Sequence, residues 1–187
     1  MELEPKKFYR FLSPRPAVLL TTIDKDKNIN AAPFSFVMPV SMDPPLLAVS
    51  IGIKQTTLSD IRDMREFVVN VPPESILDKF WASSQERIPG TDQLRKVGFT
   101  EVPSAKVLAP SVGECTVWFE CFLEFEKEFG DHVLVVGRVV NLTVKDEVIG
   151  KDGNIDMKKA ASLMHSSGQK FAVAEREVTP KPLTNPK

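Results

Sequence analysis

Between Gly52 and Thr57 the chain reads Gly-Ile-Lys-Gln-Thr-Thr, which gathers one cation and two hydroxyls just after a glycine. A helical pattern begins at the same point, and the first amides of a helix have no acceptor within it. Lys54, Thr56 and Thr57 at such a terminus form the donor set that a phosphate needs. The same residues also suit an ordinary helix start, with Thr56 or Thr57 as N-cap and Lys54 in solvent. Spacing leaves both readings open.

Other chemistry is sparse. The chain has two histidines and two cysteines, too scattered for a metal-ligand pattern, and no metal is expected. Cys115 and Cys121 fall six residues apart in one apparent strand. At about 3.4 Å per residue that separates them by roughly 20 Å, beyond disulfide reach, so they read as buried thiols. His132 follows a Gly130-Asp131 hairpin turn, a place where surface histidines are common.

The elements that must position these groups are mostly strands. From Asn30 to Thr57 two apolar strands, Ala32 to Val40 and Leu46 to Ile53, flank a corner at Ser41-Met42-Asp43-Pro44-Pro45 that cannot continue a ladder. Ser35 interrupts the first strand between two phenylalanines. Upstream, Ala17 to Ile23 is β-rich and residues 24–28 form a turn; Phe8, Tyr9, Phe11 and Leu12 suit a short packed helix or clip. Downstream, a short helix over Leu58 to Met64 precedes a strand at Phe67 to Val71. Helical spacing returns at Glu74 to Ser84, and a short helix fits Thr91 to Val97.

A long strand at Glu114 to Phe129 carries apolar residues on both faces, which suggests cover on both sides. It turns at Gly130-Asp131 into His132 to Val144, where Gly137 marks a bulge or a close approach. Met157 to Met164 reads as a short helix. The chain reads as one domain over 1–187, with a surface excursion at about 74–110 and an extended arm at about 175–187. Antiparallel strands and tight turns predict a mainly β fold, a closed or partly closed barrel with a few short helices. No dinucleotide or P-loop fingerprint is present.

The 187 residues suffice to bury roughly 70% of the unfolded chain's surface. With 24 basic and 25 acidic residues well mixed, no basic face for nucleic acid is expected. The N-terminus lacks the apolar core of a signal peptide, and no apolar run approaches the roughly 20 residues of a membrane helix. The expectation is a cytoplasmic protein with no membrane association.

The ordered series Arg15-Pro16, Thr21-Thr22, Asn30-Ala-Ala-Pro-Phe-Ser35, Pro39-Val40-Ser41 and Asp43-Pro-Pro-Leu46 resembles the flavin reductase-like, FMN-binding split-barrel family. Ser50-Ile51-Gly52, Thr57-Leu58, Phe67-Val-Val-Asn-Val-Pro72, Pro103-Ser104, Glu120-Cys121 and Gly130-Asp131-His132 continue it. Within the family the insertion after Pro73 and a C-terminal aromatic are most similar to the flavoredoxin branch. The resemblance implies a six-stranded antiparallel Greek-key split barrel that forms a homodimer with non-covalent FMN at the interface. It implies that Asn30, Ser35 as a donor, and Phe36 line the flavin, with Pro39, Val40 and Ser41 along the ring edge. Ser50, Ile51 and Gly52 would run toward the phosphate, which Lys54, Thr56 and Thr57 would hold.

His132, as the histidine of the family's Gly-Asp-His motif, would orient flavin or nicotinamide. Phe171 would pack on the flavin; its alternative is a core residue at a helix end. Two departures stand out: Met38 replaces an asparagine of several relatives, and Gln93 replaces a lysine whose charge Arg87, Arg95 or Lys96 would have to supply. Three functions follow from the resemblance. One is an NAD(P)H-dependent flavin reductase, the second a flavoredoxin-type carrier passing electrons between proteins, and the third a non-redox split-barrel module binding another ligand.

Overall fold

The computed structural model describes residues 1–85, 90–174 and 176–180. Strands β1 (Arg15–Pro16), β2 (Val18–Ile23), β3 (Ile29–Phe34), β4 (Val37–Ser41) and β5 (Leu46–Gly52) come first. Helix α1 (Thr56–Met64) and β6 (Glu66–Val71) follow, then α2 (Leu77–Ala82), α3 (Gln93–Val97), β7 (Glu101–Val102) and β8 (Ser111–Val112). The long hairpin β9 (Val117–Phe129) and β10 (His132–Val144) leads to α4 (Met157–Ala160), β11 (Leu163–Ser167) and β12 (Lys170–Val173).

Seven strands form one antiparallel sheet in the order β3-β2-β6-β9-β10-β5-β4. Its two edge strands are consecutive in the chain, separated only by Ser35 and Phe36. The Ser50 amide donates to the Phe36 carbonyl at 2.8 Å, which carries the β4–β5 pairing into that gap. Residues 29–41 therefore act as one bent strand that pairs with β2 by its first half and with β5 by its second. Counted once, it gives a six-stranded barrel split at the bend, and the strand expected from Ile29 to Val40 breaks at Ser35-Phe36.

The barrel interior is filled by Leu20, Val49, Ile51, Phe67 and Val135, with Leu58 and Ile61 of α1 packed against them. Gly137 sits at a register shift between β9 and β10, and a Cβ there would lie 2.5 Å from Phe67 Cζ. The bulge and the close approach coincide. On the other face of β2 and β3, Leu19 and Ala31 pack with Phe80, Leu94, Phe99 and Leu163. Much of the segment expected as a surface excursion is thus a second packed layer, which explains why β2 is apolar on both faces.

Four expectations change. The helix expected over Met157 to Met164 ends at Ala160, because Asp156 caps a single turn and Ala161 takes a left-handed φ of +43°. The chain then enters β11, which pairs with β1 and, through a turn at Gly168, with β12. Strand pairing wins over a four-residue helical pattern. Phe8, Phe11 and Leu12 flank or occupy a 3-10 turn at Pro5–Arg10 and stay exposed, at 67%, 67% and 68%. The two-sided cover expected for β9 holds at Trp118, which packs with Val107 and Ala109, and fails at Phe122, Phe125 and Phe129, which are exposed. Cys115 lies before β9 rather than in it. Both thiols are free and buried, and burial pushes Cys121 up to about 12. The end of the expected arm, residues 181–187, lies outside the described residues. Among those described, no helix is long and apolar enough to cross a membrane.

Candidate functional site

β5 ends at Gly52, and the chain turns through Ile53 and Lys54 into α1. Gln55, and neither threonine, is the N-cap, and it makes no side-chain cap bond. Its Oε1 instead accepts from the Gly52 amide at 3.2 Å. Thr56 and Thr57 are the first two helical residues, so no side chain closes the first turn. Thr57 is buried, and its Oγ1 accepts from Asn30 Nδ2 at 2.8 Å, which leaves its own hydrogen to donate elsewhere. One turn on, buried Asp60 accepts from Thr22 at 2.8 Å and ties α1 to β2. Asn30, Lys54, Thr56 and Thr57 face Ser83, Ser84 and Gln85 across a cleft of about 380 Å³. One cation and several donors converge there.

Pro33 lines this cleft and also a second, apolar one of about 190 Å³. The walls of the second are Phe34 and Ser35 from the bent strand, Phe80 and Trp81 from α2, and His165 and Phe171 from the β11–β12 hairpin. Phe171 meets the Phe80 ring edge-on at 5.5 Å and lies 5.3 Å from the His165 ring. It is a strand residue rather than a helix end. His165 Nε2 lies 3.1 Å from the Gly168 carbonyl oxygen, while Arg15 Nη2 and Ser35 Oγ approach Nδ1 at 3.2 and 3.1 Å. A carbonyl only accepts and a guanidinium only donates, so Nε2 carries the hydrogen and Nδ1 accepts. Ser35 thus has an acceptor for its hydroxyl within the chain, which competes with the donor role expected of it.

His132 belongs to neither cleft. Its ring lies 5.8 Å from Phe36, and its Nδ1 lies 2.7 Å from Asp131 Oδ1. The hydrogen bond to His132 holds the Asp131 carboxyl below its usual range. At the bend Ser35 meets His165, whereas the Phe36 ring meets His132 and the Arg15 guanidinium. Pro39, Val40 and Ser41 lie on edge strand β4 and line neither cleft; Pro39 and Val40 are exposed. Ile51 is fully buried in the barrel core, so its side chain reaches no ligand; Ser50 and Gly52 pair with Leu134 and His132. Met38 is exposed on β4. Gln93 is buried, with Nε2 3.5 Å from the Gln85 carbonyl and Oε1 without a partner among the described residues. Arg95 is engaged by Glu101 at 2.9 Å and Asp92 at 3.3 Å, and Lys96 is exposed. Arg87 lies outside the described residues.

Residues 9–172 match the family described as flavin reductase like domain. The chain belongs to that family. Its function is accordingly of the flavin-reductase-like oxidoreductase kind. An uncharacterized protein of Methanothermobacter thermautotrophicus is 35% identical over 158 residues, covering 82% of this chain and 74% of its own. Nitrilotriacetate monooxygenase component B from Bacillus cereus superposes with a TM-score of 0.86 at 25% identity, covering 96% of this chain and 95% of its own. Flavoredoxin from Methanosarcina acetivorans gives 0.84 at 21%, covering 99% and 96%. These likenesses agree with the split barrel.

The clefts also bring in residues that the sequence did not assign to the site: Trp81, Ser83, Ser84 and His165, with Arg15, which was quoted only in the family series. Ser83 and Ser84 follow α2 as a polar pair and offered a weak signal. His165 offered none, because the hairpin that carries it was read as the end of a helix.

Proposed function

We propose that this flavin-reductase-like protein binds FMN non-covalently in the two joined clefts and accepts hydride from NAD(P)H. The observation that carries the reading is the meeting, at Pro33, of a donor-rich end with an aromatic end. Lys54, Thr56, Thr57 and the Ser83-Ser84 pair suit a phosphate by charge and donor count. Pro33 to Ser35 on one side and Trp81 and Phe171 on the other suit a planar ring, and their apolar surface excludes water from it. When bound, FMN supplies the two-electron chemistry, and the protein contributes position and electrostatics. His132, beyond Phe36, is assigned an orienting role at the rim. Gln93 in place of a lysine leaves the ring without that cation and favours a lower potential. The exposed Phe122, Phe125 and Phe129 of β9, with Met38 and Val40 of β4, supply apolar surface for a homodimer.

Anaerobic titration of the purified protein with NADH and NADPH tests this. A yellow protein that bleaches on addition of either nucleotide supports the reading. A yellow protein that bleaches only with a reduced redox protein supports the flavoredoxin-type carrier. A colourless protein that takes up no added FMN overturns both.

A further inference from the structure

Next to the aromatic cleft lies another, of about 550 Å³, which shares His165 and Gly168 with it. Its walls are Tyr9, Arg10, Phe11 and Arg15 from the N-terminal segment and Ser166 and Ser167 from β11. Arg15 is half-buried. Its guanidinium donates to the carbonyls of Tyr9 and Leu12, lies 3.2 Å from His165 Nδ1 and stacks 5.4 Å from the Phe36 ring centroid. None of these partners is a carboxylate, and its buried Nε has no acceptor among the described residues. Among the described residues Arg10 reaches the Tyr9 hydroxyl and ring. Elsewhere Arg62, Arg95 and Arg138 each sit on a carboxylate. Neither Arg10 nor Arg15 has a carboxylate partner among the described residues.

A half-buried cation without a counter-charge is costly to hold, and an oxyanion from outside removes the cost. The Arg10 guanidinium offers bidentate pairing, Arg15 adds its charge, two serines add hydroxyl donors, and Tyr9 and Phe11 offer faces for a heteroaromatic ring. We propose that this cleft is the subsite for the phosphate-bearing part of the nicotinamide dinucleotide donor. The assignment rests on the FMN reading of the neighbouring clefts, since it places the donor's other end at the aromatic cleft beside His165. It adds the residues that would hold the donor.

The test uses Arg10, which is exposed and makes no contact that the fold needs. In the FMN-loaded protein, kcat/KM is measured for NADH, for NADPH and for 1-benzyl-1,4-dihydronicotinamide, which has no phosphate. Arg10→Glu should lower the ratio of nucleotide to benzyl donor by about tenfold, with Arg10→Lys between the two, and high salt should narrow the difference. An unchanged ratio overturns the proposal. Calorimetric titration of the same proteins with ADP separates this outcome from failure of the FMN reading. If the chain takes up no FMN, ADP binding that Arg10→Glu weakens still supports the subsite, and absence of ADP binding overturns it. Binding of benzoate but not of ADP would also overturn it, in favour of a carboxylate substrate.

Discussion

Two polar systems lie on the outside of the barrel wall, and they differ in whether their hydrogen bonds are complete. Around β6 and β9, Glu66 Oε1 accepts from the Leu108 and Ala109 amides at 2.6 and 2.9 Å. Glu120 accepts from Ala105, Lys106 and Asn141 at 2.9, 2.6 and 2.8 Å. Asn70 Oδ1 accepts from the Val112 amide at 2.8 Å, and Thr21 donates to the Pro110 carbonyl at 2.5 Å. Donors and acceptors are matched, and the product is a loop clasped to a sheet. At α1, by contrast, Asn30 and Thr57 pair with each other, while Lys54, Thr56 and the first turn present donors to an open cleft. A completed set marks structure. A surplus of donors at an opening is left for water or a ligand to complete.

The sharpest way to break that contrast is Glu120→Ala. It leaves two loop amides and the half-buried Asn141 side chain without their acceptor, at a cost of about 2–3 kcal/mol in unfolding free energy. Denaturant unfolding measures it. A loss under about 1 kcal/mol would mean that water replaces the carboxylate and the clasp is dispensable.

The reverse substitution pair is Lys54→Ala with Thr56→Ala. Both residues are exposed in the chain, so stability should move by no more than about 0.5 kcal/mol. Each charge-assisted contact to phosphate is worth roughly 1.5–3 kcal/mol, so FMN affinity should fall by about 3 kcal/mol or more. Quenching of flavin fluorescence reads the affinity. Unchanged affinity removes the phosphate assignment and leaves α1 an ordinary helix.

The contrast also explains what the sequence could disclose. The donor-rich end was legible because Lys54, Thr56 and Thr57 are adjacent in the chain and change type together at the end of a strand. A mainly β barrel was legible because the strands are long and bounded by turn residues, and the six-strand count came with the family resemblance. Of the opposite wall the resemblance named Phe171 alone; Trp81, Ser83 and His165 were missed, since they come from distant segments that meet where α2 faces the β11–β12 hairpin. β11 reads Leu-Met-His-Ser-Ser, which has no strand pattern of its own and becomes a strand by pairing with Arg15 and Pro16. Ser35 and Phe36 were identified together, yet only the bend shows that they face different histidines.

The completed clasp should show its charge in acid. Burial raises the Glu120 pKa, but the amides of Ala105, Lys106 and Val107 and the Asn141 side chain outweigh it, and the net position is below the ordinary 4.5. A carboxyl held lower in the folded than in the unfolded chain contributes stability above its unfolded pKa. That contribution is lost as pH falls through the folded value. The thermal midpoint should therefore drop as pH falls below about 4.5, and Glu120→Gln should flatten part of the drop. An identical pH profile in the variant would place the acid sensitivity elsewhere.

The smallest expected effect belongs to His132→Ala. The side chain is 35% exposed and is paired with exposed Asp131 and the Phe36 ring, so FMN affinity and stability should each shift by no more than about 0.5 kcal/mol. It lies across the bend from the aromatic cleft, and its influence on chemistry must pass through the position of Phe36. Stopped-flow reduction by NAD(P)H should therefore slow in His132→Ala and recover in His132→Phe, which restores a ring against Phe36 without a titratable group. Slowing without recovery would give the imidazole itself a role. An unchanged rate would make His132 a surface residue at a hairpin end, and leave His165 as the one histidine on the working side of the bend.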